Sequence, residues 1–236
     1  DTAIVLCTDH GHYLGDTDVH GRDLWGKPSV PVYKELGNIP MMICWPGVAP
    51  RVCNALTTST DIHATIAEVF DAEVKHRTHG TSLQPLINSK SERIRDWLLT
   101  GVWGREVQLV TEEWRYSRGP TGANAPLSLW SNRWSTMPIA KYPNYKMPNP
   151  DERAKLDKMP GSTIPVIRQP FVEGDLLPFW AMAAQFEHIL YNRKEDPQES
   201  TSRIDGIYES DAVEILRHAL VQVEAPTDHL VRLGLN

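Results

Sequence analysis

The sequence is poor in the features that assign a chain to a class at first sight. It has 3 cysteines in 236 residues, and no two are spaced as C-x-x-C, so we expect neither a complete disulfide framework nor a zinc ribbon. The formal charge is -6 without any basic run, which argues against a nucleic-acid partner. No apolar stretch approaches the roughly 20 residues that span a bilayer, so we expect no membrane span.

The composition that remains is typical of a globular chain with a real core. The apolar share is 41% and the charged share 23%, both ordinary values for folded domains. The chain opens directly on the apolar run of residues 3–7, with neither an initiator methionine nor a signal peptide. We therefore interpret it as part of a longer polypeptide, and the sequence predicts no compartment for it.

Residues 1–94 form the first of two regions and have an α/β pattern. The continuous apolar runs at 3–7 and 39–45 are typical of strands that are covered on both faces. After capping residues, the apolar side chains of 62–70 recur at helical spacing and predict a helix with one apolar face.

Residues 95–236 form the second region and differ in composition from the first. Aromatic and β-favouring runs flank a predicted hairpin turn at Gly104-Arg105. Prolines are frequent in residues 119–180, so we expect a long ordered excursion or partial disorder there. A short strand at 187–191 and an amphipathic helix at 211–223 are predicted to close the chain.

The densest group of residues with chemical potential is Thr8-Asp9-His10-Gly11, directly after the first apolar run. In open α/β sheets, ligands bind beyond the carboxyl ends of strands. A carboxylate and an imidazole both bind divalent cations, and Gly11 permits a sharp turn after them. Asp9 and His10 are therefore a candidate half of a metal site, with simple capping of a turn as the alternative.

The Asp-His-Gly group begins a longer series of short motifs. The later members are Leu14-Gly15, Leu24-Trp25-Gly26-Lys27, a strand closed by Pro46-Gly47, residues 60–66 (like D-x-x-P-T with Ala64 for proline), residues 79–83 (like G-x-S-L) and residues 190–199 (like L-Y-D-L-x-x-D-P-x-E). In order and residue type, the series resembles the sulfatase family of the alkaline phosphatase superfamily.

The resemblance implies a fold and a set of site residues. The fold is the C-terminal part of an alkaline-phosphatase-like mixed α/β sheet flanked by helices, followed by a small antiparallel sheet with a C-terminal helix. Asp9 and His10 would bind a metal ion, calcium before magnesium or manganese, and Lys27 would contact the sulfate ester. The nucleophile motif C-x-P-x-R is absent from the chain, so the resemblance implies a formylglycine in a preceding segment and an inactive chain without that N-terminal half.

The implied reaction is hydrolysis of the sulfate ester of a small molecule or a glycan. A formylglycine hydrate would attack sulfur, the metal and Lys27 would stabilise negative charge, and an imidazole would protonate the leaving oxygen. His20 is the candidate imidazole, with an exposed loop histidine as the alternative. Trp130 and Trp134 are the candidate substrate contacts. Hydrolysis of phosphonate monoesters or phosphodiesters, and a non-catalytic binding role, are the competing hypotheses.

The chain departs from the family pattern at positions that bear on the site. Residues 17–22 look inserted between Asp9 and Lys27. Lys34 and Asn38 stand where the family often has Glu and Arg, so we expect the loop to be anchored differently. Lys34 is also a candidate contact for an anionic substrate, although lone surface charges are more often solvated.

Overall fold

The structure, a computed structural model, describes residues 2–17, 21, 23–27, 31–132, 150–159, 161–181, 187–204 and 206–236. The strands are β1 (Ile4–Cys7), β2 (Tyr13–Thr17), β3 (Asp23–Gly26), β4 (Met41–Cys44), β5 (Trp97–Gly101), β6 (Val107–Thr111), β7 (Trp114–Arg118), β8 (Leu127–Ser131), β9 (Lys155–Lys158), β10 (Pro165–Phe171) and β11 (Ile189–Asn192). The helices are α1 (Lys34–Gly37), α2 (Thr60–Val69), α3 (Gln84–Ile87), α4 (Ile207–Gln222) and α5 (Thr227–Arg232), with a 3-10 turn at Phe179–Ala181.

The largest described sheet has four antiparallel strands in the order β11-β7-β6-β5. The predicted turn at Gly104-Arg105 is confirmed, because it joins β5 to β6 in a hairpin. Helix α4 covers one face of this sheet. The predicted helix is also confirmed, since Ala212, Leu216 and Ala219 point into a core shared with Leu109 of β6.

Strand β11 contributes to two cores because successive side chains of a strand point to opposite faces. Leu190 is fully buried in the core under α4. Ile189 and Tyr191 pack on the other face, in a second cluster with Tyr13 of β2 and Tyr33. The four-stranded sheet therefore supports the hairpin β2–β3, which lies in the chain between Asp9-His10 and Lys27.

Strands β1 and β4 form a separate antiparallel pair. The prediction that these apolar strands are covered on both faces is wrong for the described residues, because Ile4 is 62% and Leu6 57% exposed. Cys44 is exposed as well. Between this pair and α2 runs an apolar groove of about 600 Å³. The surface is thus apolar but not covered by the part of the chain that the structure describes.

Helix α2 is tied to the following segment by the residues of its motif. Asp61 is fully buried, and its carboxylate accepts hydrogen bonds from the backbone of Thr58 and Thr81 at 2.8 Å each and from the guanidinium of Arg95. Thr65 Oγ1 accepts the Leu83 amide at 2.9 Å. The segments that resemble D-x-x-P-T and G-x-S-L are therefore joined by structural hydrogen bonds.

The proline-rich excursion contains more regular structure than expected. Within residues 119–180, the described part forms a three-stranded sheet in the order β8-β10-β9. Pro165 opens β10, and Pro170 lies beyond the stretch that pairs with β9. A proline is tolerated at such positions because no ladder donor is needed on that side. Of the two expectations for residues 119–180, the described part agrees with an ordered excursion, and it contains more strands than the frequent prolines suggested. Among the described helices, none is long and apolar enough to cross a membrane.

Candidate functional site

The Asp9-His10 turn follows β1 by two residues, at the carboxyl end of the strand. The Asp9 side chain is 87% exposed and that of His10 34%, with Nε2 of His10 3.4 Å from Oδ2 of Asp9. The His10 amide also donates to Oδ1 of Asp9 at 3.0 Å. Both candidate ligands are thus held next to each other and open to solvent.

The hydrogen bonds of His10 define which ring nitrogen faces Asp9. Nδ1 lies 2.6 Å from the carbonyl oxygen of Gly11, and a carbonyl only accepts, so Nδ1 carries the proton. Nε2 then faces a carboxylate either as an imidazolium N–H or as a lone pair. A lone pair beside a carboxylate is stabilised by a cation between them, and a metal-binding histidine usually donates its other ring N–H to a carbonyl, as His10 does here.

Gly11 is required by a close backbone contact, not by the sharp turn that the sequence predicted. Its φ is not in the left-handed region. A Cβ at this position would lie 1.8 Å from the carbonyl oxygen of Glu35, and the Gly11 amide donates to Leu36 O at 2.9 Å. The Asp9-His10 loop therefore lies directly on the backbone of α1, and only glycine fits the contact.

The hairpin β2–β3 lies in the chain between the candidate metal ligands and Lys27. Tyr13 pairs with Gly26 at its open end, and Lys27 follows Gly26 directly, where the left-handed backbone of Gly26 (φ 73°) ends the pairing. The His12 ring lies 4.0 Å from where a Cβ on Gly26 would stand. Lys27 is exposed, so its ammonium is available to an anionic ligand.

Thr17, the first residue of the apparent insertion at 17–22, pairs with Asp23 at the far end of this hairpin. The candidate general acid His20 and the other residues of the insertion, apart from Gly21, fall outside the described residues.

The two candidate substrate tryptophans are not brought to this turn by a described contact. Trp130 lies on β8, where the Arg168 guanidinium stacks 5.2 Å from its ring centroid. Trp134 falls outside the described residues. The Arg168 guanidinium also hydrogen-bonds Ser128 Oγ at 3.1 Å. Trp130 therefore packs against a held cation, and its role as a substrate contact stays a prediction.

Lys34 anchors the closing motif. Its ammonium donates to Pro197 O and to Gln198 Oε1, both at 2.6 Å. Its backbone amide donates to Glu199 Oε2 at 2.9 Å. The Lys34 side chain is therefore used as an anchor, and whether this anchor differs from that of the family stays a prediction.

A cavity of about 300 Å³ lies between the hairpin, α1 and residues 198–200. Asp16, Glu35 and Glu199 line it, so its charge disfavours a sulfate group. Asp9, His10 and Lys27 are not in its lining, which leaves the exposed turn as the candidate site. In the described part of the chain, no three acidic, histidine or cysteine side chains are grouped closely enough to hold a metal ion.

Comparisons with known proteins were made by sequence and by structure. No family model matches the chain. A curated relative, Choline-sulfatase of Rhizobium meliloti (strain 1021), is 35% identical over 91 residues, which are 37% of this chain and 16% of that protein. The crystal structure of a "putative sulfatase" from Bacteroides thetaiotaomicron VPI-5482 has a TM-score of 0.51 and 14% identity, covering 93% of this chain and 35% of the other.

The fold is a mixed α/β one with several antiparallel sheets and a C-terminal helix, and it is similar to that of the solved structure. The resemblance to the sulfatase family is confirmed by the sequence relative together with the structural neighbour. The chain spans about a sixth of the length of the curated relative and about a third of the solved structure.

Proposed function

We propose that this chain supplies one part of the active site of a metal-dependent sulfatase that hydrolyses a sulfate ester. The observation that carries the proposal is the hairpin β2–β3, because its open end at Tyr13 and Gly26 is preceded in the chain by Asp9 and His10 and followed directly by Lys27. A carboxylate, an imidazole and a cation thereby flank one hairpin end. Sulfate ester hydrolysis needs such a set, because negative charge accumulates on sulfuryl oxygens and on the leaving oxygen.

Each residue has a separate role in the proposal. Asp9 and His10 bind a divalent cation, calcium first and magnesium or manganese as alternatives, which would polarise an ester oxygen as a Lewis acid. Lys27 places a compact positive charge against the sulfate group. The Nδ1–H bond to Gly11 O holds the His10 ring so that Nε2 faces the cation. The nucleophile would come from a formylglycine segment outside these residues.

The ligand assignment is tested by Asp9→Ala in the complete protein. We expect turnover of an aryl sulfate to fall at least about a hundredfold and no longer to respond to added calcium, because a carboxylate ligand of the metal is lost. Asp157→Asn, on the exposed strand β9, is the matched loss of a carboxylate and should leave turnover unchanged. Metal-dependent turnover at the wild-type rate in Asp9→Ala would refute the assignment.

Substrate class is tested with paired esters of one phenol. The sulfate ester should be hydrolysed faster than the phosphate diester and the phosphonate monoester. The substitution Lys27→Met should slow the hydrolysis of the sulfate ester. Choline sulfate is the first natural ester to assay, since the curated relative is named Choline-sulfatase. Preference for a phosphorus ester would favour the other hydrolases of the superfamily, and binding without turnover would favour a non-catalytic role.

A further inference from the structure

Four buried polar side chains of the second region converge on the segment that supports the metal loop. They are Glu106, Gln108, Arg115 and Glu199, all at most 6% exposed. We call this group the buried clamp. Buried polar groups are costly unless they are paired, so the pairing of each member shows what the group is for.

The clamp holds three backbone groups of residues 32–34. Glu106 Oε1 accepts the Val32 amide at 3.2 Å, and Gln108 Nε2 donates to Val32 O at 2.5 Å. Glu199 Oε2 accepts the Lys34 amide at 2.9 Å, at the start of α1. These bonds join positions far apart in sequence, so they dock the second region on this segment and do not stabilise a local turn.

Arg115 completes the clamp from within the sheet. Its Nε lies 2.6 Å from Glu199 Oε1, and both side chains are buried. Burial raises the pKa of Glu199, while the Arg115 cation opposes that rise. Arg115 also lies close to α1, because its Nη1 is 3.2 Å from where a Cβ on Gly37 would stand.

The clamped segment in turn holds the metal loop. The same short helix offers Leu36 O to the Gly11 amide at 2.9 Å, next to His10. The closing motif thus reaches the candidate metal ligands in three steps, from Glu199 to Lys34, along α1 to Leu36, and across to Gly11. Tyr191 of the same motif packs with Tyr13 and Tyr33 under the hairpin that carries Lys27.

We propose that the buried clamp positions the Asp9-His10 loop, and that Glu199 in the closing motif is its main positioning residue. The identity of the ligand rests on the proposed function, but the positioning of Gly11 does not. Glu199 touches neither substrate nor metal in this proposal. It acts by fixing α1, so its loss should loosen the loop without unfolding the sheet.

The test uses Glu199→Gln in the complete protein, with amide hydrogen exchange of Gly11 and titration of calcium alone. We expect Gly11 to exchange about tenfold faster and calcium to bind about tenfold more weakly, the effect of removing a supporting residue behind a ligand. Asp61→Asn is the control, because it breaks another buried ion pair, with Arg95, that contacts neither α1 nor Gly11. It should lower the melting temperature but leave both readouts unchanged.

The outcomes separate the two proposals. Wild-type Gly11 exchange and calcium affinity in Glu199→Gln would overturn the positioning role. Equal changes in Glu199→Gln and Asp61→Asn would also overturn it, since the effect would then be general loss of stability. Faster Gly11 exchange in Glu199→Gln, with calcium affinity unaffected by Asp9→Ala, would support the clamp and overturn the metal assignment instead.

Discussion

At Gly11 the candidate metal loop packs on the backbone of α1 so closely that no side chain fits between them. A Cβ would meet the Glu35 carbonyl oxygen at 1.8 Å, and that oxygen belongs to a backbone that cannot rotate away as a flexible side chain can. The adjacent Asp9 and His10 must then either move with the loop or force α1 to move. A single methyl group at this position is therefore a sensitive probe of the whole site.

We expect Gly11→Ala to lower the free energy of unfolding by about 3 kcal/mol, as overpacking of a tight contact does. Urea denaturation followed by fluorescence measures the change. Gly122→Ala is the matched control, because a Cβ there meets no atom within 4 Å and should change stability by less than about 0.5 kcal/mol. Equal stability of the two variants would contradict the close packing of the loop on α1.

The individual residues show how far a sequence pattern reaches. Asp9, His10 and Lys27 were predicted as a set, and the structure places the hairpin β2–β3 between them in the chain, but no described contact tests their binding roles. The reason for Gly11 was not predictable, because the contact that excludes a side chain comes from α1. Glu106 and Gln108 gave no signal, since their partner Val32 is more than seventy positions away in sequence.

At the scale of elements, α5 is held by polar side chains more than by apolar ones. Arg232 is 2% exposed and donates to Arg105 O at 2.7 Å, and Asp228 accepts the Ser128 hydroxyl at 2.6 Å. His229 lies between these anchors in the sequence. Burial, with the Arg232 cation as a smaller cause, lowers the pKa of His229 to about 4, and the Asp228 carboxylate opposes that shift.

The docking of α5 is therefore expected to depend on pH. His229 binds a proton more readily in the unfolded chain, so the unfolding free energy should fall as pH drops from about 6.5 towards 4. With a pKa of about 4 in the folded protein, the loss is up to about 3 kcal/mol at 1.36 kcal/mol per pH unit. His229→Gln should flatten this part of the pH profile, and His218→Gln on the exposed side of α4 should not. An unchanged slope in His229→Gln would contradict the expectation.

The elements differ in how well the sequence predicts them. Helix α4 and strand β11 carry strong periodic apolar patterns, and both were predicted close to their observed bounds. Strands β8 and β10 were missed because frequent prolines argued against regular structure, although their positions in the sheet leave the ladder intact. Helix α5 was missed because six residues are too few to show a period.

Across the whole molecule, the two regions differ in how their apolar side chains are covered. The second region encloses a core between its four-stranded sheet and α4. In the first region, β1, β4 and α2 instead present apolar side chains around an open groove, with Phe70 76% and Ile66 52% exposed. A surface of this kind is typical of an interaction face. The strand pattern predicted apolar runs correctly, but a sequence does not say whether anything covers them.

Residues 1–236 produced alone are therefore expected to associate through this apolar face. Sedimentation velocity over a wide range of concentration should show species larger than the monomer, because water contact with Val5, Ile66 and Phe70 is relieved by pairing such faces. The combined variant Val5→Thr, Ile66→Gln and Phe70→Gln keeps strand propensity in β1 and should shift the distribution towards monomer. Replacing exposed Leu156 of β9 by Thr is the control, since it lies outside the groove and should leave association unchanged. A dispersed wild-type monomer at every concentration would show that this face is stable in water as it stands.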